Sequence, residues 1–182
     1  MSSNVRSPRL KLKVTETDFK KTVSDAVVKL RSLDGAHKVE IKTTIEGCLP
    51  FFSDSEQLEI IFSALISNAI KFRHAHEMHP ALNIHIEVED KNARITFSDN
   101  GIGIEKAYLS KVFDMFFRVP GTKADGAGLG LFMVKEIVKK MKGKVVAQSD
   151  NGTGTKIIME LPNLIDPDHL RKLNKLIQNS QL

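Results

Sequence analysis

A single cysteine, Cys48, stands among 182 residues, so no internal disulfide can form and a reducing compartment is indicated. No apolar run approaches the length of a membrane-spanning helix, and Met1-Ser2-Ser3-Asn4-Val5-Arg6 offers no apolar signal core. Neither sign of charge dominates. The 27 Lys and Arg against 22 Asp and Glu leave a net +5, dispersed along the chain rather than gathered in a block. That favours a solvated surface over nucleic-acid binding, while leaving a few cations for an anionic nucleotide. Internal repeats and low-complexity linkers are also missing. What remains, 41% hydrophobic and 27% charged residues, is ordinary for one well-buried globular domain, and the length is short for two.

The most conspicuous stretch present is Asp125-Gly126-Ala127-Gly128-Leu129-Gly130-Leu131, running straight into the apolar spacing of Phe132 to Val138. Flexible backbone feeding a helix N-terminus, with its free N–H groups and positive dipole end, favours an anion such as phosphate. The stretch lacks the Gly-Lys-Ser/Thr of a P-loop and does not follow a strand, so it belongs to another kind of site.

In chain order, residues 1–13 show only a short strand at Leu10 to Val14. Thr15, three residues before Asp18, gives a capping-type start to a helix with Phe19, Val23, Ala26, Val27, Leu30 and Leu33 on one face. Val39 to Glu46 alternates as a strand with one wet face. Pro50 to Asp54 reads as a short extended piece ending in an N-cap, followed by a helix over Ser55 to Phe72. Leu82 to Val88 and Ile95 to Ser98 form a hairpin around Asp90-Lys91-Asn92. A short helix is expected over Glu105 to Lys111, then an irregular segment over Phe113 to Lys123. The helix after the glycines reaches Met141 and is stopped by Gly143. Lys144 to Gln148 and Thr155 to Leu161 make a second hairpin, and Asp166-Pro167 opens a last amphipathic helix over 166–180. The expected class is an α/β two-layer sandwich, a mixed, antiparallel-rich sheet with helices on one face.

Three constellations carry possible chemistry. Asn68 sits among Leu65, Ile66, Ala69 and Ile70, half buried; its amide either bonds to nearby backbone or serves as an oxygen ligand for Mg²⁺, with Lys71 and Phe72 on adjoining parts of the same face. Asp99 ends an apolar strand before Gly101 and Gly103, either as a simple Asp-Asn-Gly turn or as a carboxylate that accepts from an exocyclic amine. Phe113-Asp114-Met115-Phe116-Phe117-Arg118 puts three phenylalanines in a loop-like segment, either anchoring it to the core or pinning a moveable loop, with Arg118 able to reach a phosphate. His74, His76, Glu77 and His79 match no standard metal spacing and are set aside.

Taken in order, Asn68 to Phe72, Asp99 to Gly103, Phe113 to Arg118 and Gly126 to Leu131 resemble the N, G1, F and G2 boxes of sensor histidine kinases. Gly152-Thr153-Gly154-Thr155 resembles the family's last glycine motif. The likeness spans about Phe19 to Leu161 and points to the catalytic and ATP-binding domain, of the Bergerat fold shared with gyrase B, MutL and heat-shock chaperone ATPases. It implies ATP and Mg²⁺ as cofactors, with Asn68 on the metal, Lys71 at the phosphates and Phe72 near the nucleotide. Asp99 would read the adenine amine, Gly101 and Gly103 letting the backbone approach. The lid would run from about Phe113 to Gly126, pinned by Phe113 and Phe117. Gly126, Gly128, Leu129, Gly130 and Leu131 would close on the phosphates, and Thr155 would support the adenine pocket.

The same resemblance implies a separate helical dimerisation domain bearing the acceptor histidine, with residues 1–14 as the linker remnant from it and 15–182 as the catalytic domain. It implies a response regulator downstream, while the dispersed charge leads to no expected nucleic-acid partner. The domain would be cytoplasmic, in a parent protein that could be membrane-attached or homodimeric. Ala64 departs from the pattern: kinases of this kind carry a further Asn there and gyrase-like ATPases a water-activating Glu. A stand-alone serine kinase of the anti-sigma-factor type and a non-enzymatic docking module remain as alternatives.

Overall fold

The computed structural model describes residues 12–47, 50–74, 79–122, 126–150 and 152–165. The expected helix over 166–180, the start of the Leu10 strand, and His76, Glu77 and Asp125 lie outside them. The described order is β1 (Val14–Glu16), α1 (Phe19–Lys29), β2 (Glu40–Glu46), β3 (Phe52–Asp54), α2 (Ser55–Lys71), β4 (Ala81–Val88), β5 (Asn92–Asp99), α3 (Gly130–Lys140), β6 (Lys144–Ser149) and β7 (Thr155–Pro162). Five strands form one sheet in the order β2-β4-β5-β7-β6, and β1 pairs with β3 apart from it. Only β2 and β4 run parallel, because α2 is the crossover between them; the other pairs are antiparallel.

The period-2 alternation of β4 and β5 turns Leu82, Ile84, Ile86, Ala93, Ile95 and Phe97 inward, under the helices. Phe62 of α2 meets Phe97 edge-on, ring centroids 5.1 Å apart at 86°, and ties helix layer to sheet. Asp54 caps α2 by accepting the Gln57 N–H at 3.1 Å, as its place after Pro50-Phe51-Phe52-Ser53 foretold.

Several boundaries differ from expectation. The cap of α1 is Asp18, which accepts from Lys21 N–H at 3.0 Å, while Thr15 belongs to β1. The Glu105–Lys111 helix shrinks to a single 3₁₀ turn, Lys106–Tyr108. The end of α3 depends on two residues. Lys142 takes the left-handed conformation at φ 62°, and the Gly143 N–H returns to the Val138 carbonyl at 2.9 Å. Gly143 is needed for a different reason: a Cβ there would lie 2.5 Å from the Glu160 carbonyl oxygen on β7. Among the described residues no helix is long and apolar enough to cross a membrane.

Candidate functional site

A cavity of about 280 Å³ opens between the C-terminal part of α2, the inner face of the sheet, the loop after β5 and the segment leading into α3. Its inner walls are apolar: Leu82, Phe97 and Ile157 from three neighbouring strands, Ile102, Ile104 and Val112 from the segment after β5. Its polar groups are Asp99 at the end of β5, Asn68 and Lys71 toward the end of α2, and the backbone at the start of α3.

Asp99 is the last residue of β5. One carboxylate oxygen, Oδ1, accepts the N–H of Gly101 at 2.8 Å and that of Thr155 at 3.2 Å. Among the described residues, Oδ2 accepts no hydrogen bond. Burial pushes the carboxyl up from its ordinary value, and the two backbone donors pull against that rise. Glycines let the surrounding backbone close in. A Cβ on Gly154 would fall 1.9 Å from the Asp99 carbonyl oxygen, and one on Gly101 would fall 2.4 Å from that of Phe72. Phe72, the last residue of its box, accepts the Ile102 N–H at 3.0 Å, which docks the loop after β5 onto the end of α2. Gly101 thus works from behind: it orients Asp99 and does not itself line the cavity.

Asn68 is half buried, and its amide oxygen points toward α3: an ideal Cβ at Gly130 would stand 3.8 Å from it. No side chain caps α3, so its first N–H groups are available at the cavity edge. Lys71 is exposed at the end of α2. Lys71, Phe72, Gly103, Phe117, Arg118, Gly126, Gly128, Leu129, Gly130, Leu131 and Thr155 all border the same cavity with Asn68 and Asp99. Ala64 does too, one turn before Asn68, and brings no donor or acceptor of its own.

The three phenylalanines part ways. Phe113 is buried and Phe117 packs partly on the core, near Tyr108 at a ring-centroid distance of 6.1 Å. Phe116 turns outward, 63% exposed and left-handed at φ 63°. Its N–H donates to the Gly128 carbonyl at 3.1 Å, and a Cβ on Gly128 would sit 2.7 Å from the Phe116 carbonyl carbon. The glycines are therefore not equivalent. Gly128 is latched, Gly130 is already helical, and an added Cβ on Gly126 meets nothing within 4 Å among the described residues.

Sequence reasoning missed Ser149. Its hydroxyl bonds to both segments that flank Asp99, accepting from Ile104 N–H at 2.8 Å and donating to the Gly154 carbonyl at 2.5 Å. Nothing local distinguishes it from any serine at a strand end. Among the described residues, the only group of three or more His, Cys, Asp or Glu side chains that could share a metal ion is Glu46, His85 and Glu87. These lie on the outer face of the sheet, opposite the cavity.

Residues 53–165 match the family described as histidine kinase-, DNA gyrase B-, and HSP90-like ATPase. The sensor protein RprX of Bacteroides fragilis is 34% identical over 157 residues, which are 84% of this chain and 30% of that protein. Among solved structures, full-length ShkA in complex with AMPPNP superposes with a TM-score of 0.71 at 20% identity, over 88% of this chain and 34% of that one. The catalytic domain of histidine kinase ThkA superposes at 0.67 and 21% identity, over 84% of this chain and 99% of that one. At these identities the two structures share the fold with this chain. The chain spans between 15% and 30% of the length of curated relatives such as RprX.

Proposed function

The chain belongs to the family of histidine kinase-, DNA gyrase B- and HSP90-like ATPases, and from that membership we propose that it is the ATP-binding catalytic domain of a sensor histidine kinase. It binds ATP with Mg²⁺ and passes the γ-phosphoryl group to a histidine on a helical domain outside this chain. The observation that carries the reading is the makeup of the cavity. A half-buried carboxylate shares one largely apolar slot with an uncapped helix start, an amide and an ammonium. A purine with an exocyclic amine and a phosphate chain has that same set of demands.

Asp99 Oδ2 accepts from the adenine amine, while Ile102, Ile104 and Ile157 exclude water from the ring. The N–H groups at the start of α3 and the Lys71 ammonium meet the phosphates. Asn68 would offer its amide oxygen to Mg²⁺. When bound, the metal would neutralise charge on the phosphates. The acceptor imidazole attacks γ-phosphorus, the bridging oxygen leaves with ADP, and the imidazole proton passes to solvent. Ala64 cannot deprotonate water, which favours transfer over hydrolysis. A response regulator would receive the phosphoryl group next, and the domain would work in the cytoplasm.

The test is transfer from γ-labelled ATP to an added dimerisation domain. The expected product loses its label in acid and keeps it in base. An acid-stable product would mean the serine-kinase alternative, to which the sensor-protein relatives lend no support.

A further inference from the structure

We propose that Ser149 is a positioning residue for adenine recognition, setting the spacing between the loop after β5 and the start of β7; this rests on the nucleotide-binding reading above. The loop and the β6–β7 turn form the two rims of the slot that holds Asp99. Ile104 on one rim and Thr155 on the other both line the cavity. Ser149 touches both. Its oxygen accepts the Ile104 N–H at 2.8 Å, its single proton goes to the Gly154 carbonyl at 2.5 Å, and Thr155 Oγ1 stands 3.5 Å away.

Other contacts between the rims lack this reach. The Gly152 N–H to Ile102 carbonyl bond, 2.8 Å, is backbone alone, and no side-chain substitution removes it. The Lys106–Asp150 ion pair, 3.1 Å, joins side chains 82% and 63% exposed and is screened by water. Ser149 is partly buried, so losing its hydroxyl leaves an N–H and a carbonyl without their partner. The effect passes directly to Asp99. Gly154 lies against the Asp99 carbonyl oxygen, and the next residue, Thr155, gives the longer of the two bonds on Oδ1, 3.2 Å against 2.8 Å. When the Gly154 carbonyl is released, the Thr155 N–H drifts from Oδ1 and the carboxylate loses the orientation that aims Oδ2 at the amine.

The experiment compares ATP with inosine triphosphate, which carries a carbonyl where ATP carries the amine, by calorimetric titration of the whole chain. Wild type should prefer ATP. Ser149→Ala should lose about tenfold in ATP affinity, the scale of one hydrogen bond, with inosine triphosphate affinity nearly unchanged, so that the preference shrinks. Ser149→Thr, which keeps the hydroxyl, should restore it. Equal losses for both nucleotides, or an undiminished preference, overturn the proposal. If Ser149→Ala shows no thermal unfolding transition, Ser149→Cys, a near isostere with a weak donor, is measured instead and must show the same selective loss. A wild-type chain that binds no ATP sinks the nucleotide reading and this role with it. ATP binding with the preference intact in the variant overturns the role of Ser149 alone.

Discussion

Replacing Asp99 by Asn separates the cost of this site from its use. The amide can keep its oxygen on the Gly101 and Thr155 donors, as Oδ1 does now. Its NH₂ then takes the place of Oδ2 and faces the adenine amine, donor against donor. The variant loses a charge-assisted bond of about 1.5–3 kcal/mol and adds an unmet donor at about 1–3 kcal/mol, together roughly 10²- to 10⁴-fold in affinity. Stability should move the other way. The folded carboxyl is raised above its ordinary value by burial, so the folded chain holds that proton more tightly than the unfolded one. The group's contribution to stability is complete below the unfolded value and is lost as pH rises through the raised folded value. Above that folded value the ionised side chain is thus a burden that Asn removes. Calorimetric titration with ATP and Mg²⁺ should show the affinity loss, while ligand-free Tm at pH 7.5 stays level or rises. Wild-type ATP affinity should fall as pH drops into the carboxylate range, and Asp99→Asn should lack that dependence. Affinity within threefold of wild type would refute the assignment of the amine-reading group. A Tm lowered by 5 °C or so would make Asp99 a structural residue instead.

Four further outcomes follow from the packing. Phe62→Ala, which empties a fully buried position against Phe97, should cost about 3–5 kcal/mol in denaturant titration. Gly143→Ala should destabilise by about 1–3 kcal/mol because its methyl meets the Glu160 carbonyl. Lys142→Gly, by contrast, relieves a left-handed residue and should be neutral or stabilising by up to about 1 kcal/mol. Gly128→Ala should break the bond to Phe116, leaving Tm almost unchanged while protease cleavage between Phe117 and Ala127 accelerates.

What could be read from the chain was what short-range patterning dictates. The cap at Asp54 and the alternation through β4 and β5 are local facts, and so is a carboxylate placed where a strand ends beside glycines. The misses depend on distant partners. Gly143 was legible as the helix stop, and its N–H does close α3 onto Val138, but what forbids a side chain there is Glu160 in β7. Ser149 had no signal because its role exists only once Ile104 and Gly154 arrive on either side. Phe116 could not be told from Phe113 by composition; only the bond to Gly128 turns it outward. The 3₁₀ turn at Lys106–Tyr108 replaced a helix where the following residues are committed to the cavity wall.

The Phe116–Gly128 bond also bears on how such a domain can diversify. It ties off the eleven residues from Phe117 to Ala127 as a closed loop whose ends are already together. The entropy of joining those ends grows only logarithmically with length, so doubling the loop costs about 0.6 kcal/mol. Insertions there need not be compensated anywhere in the sheet, provided the two left-handed residues at the neck and the core contact of Phe117 survive. The neck thereby makes the loop an exchangeable module, open to change in length while the strands beneath it stay fixed.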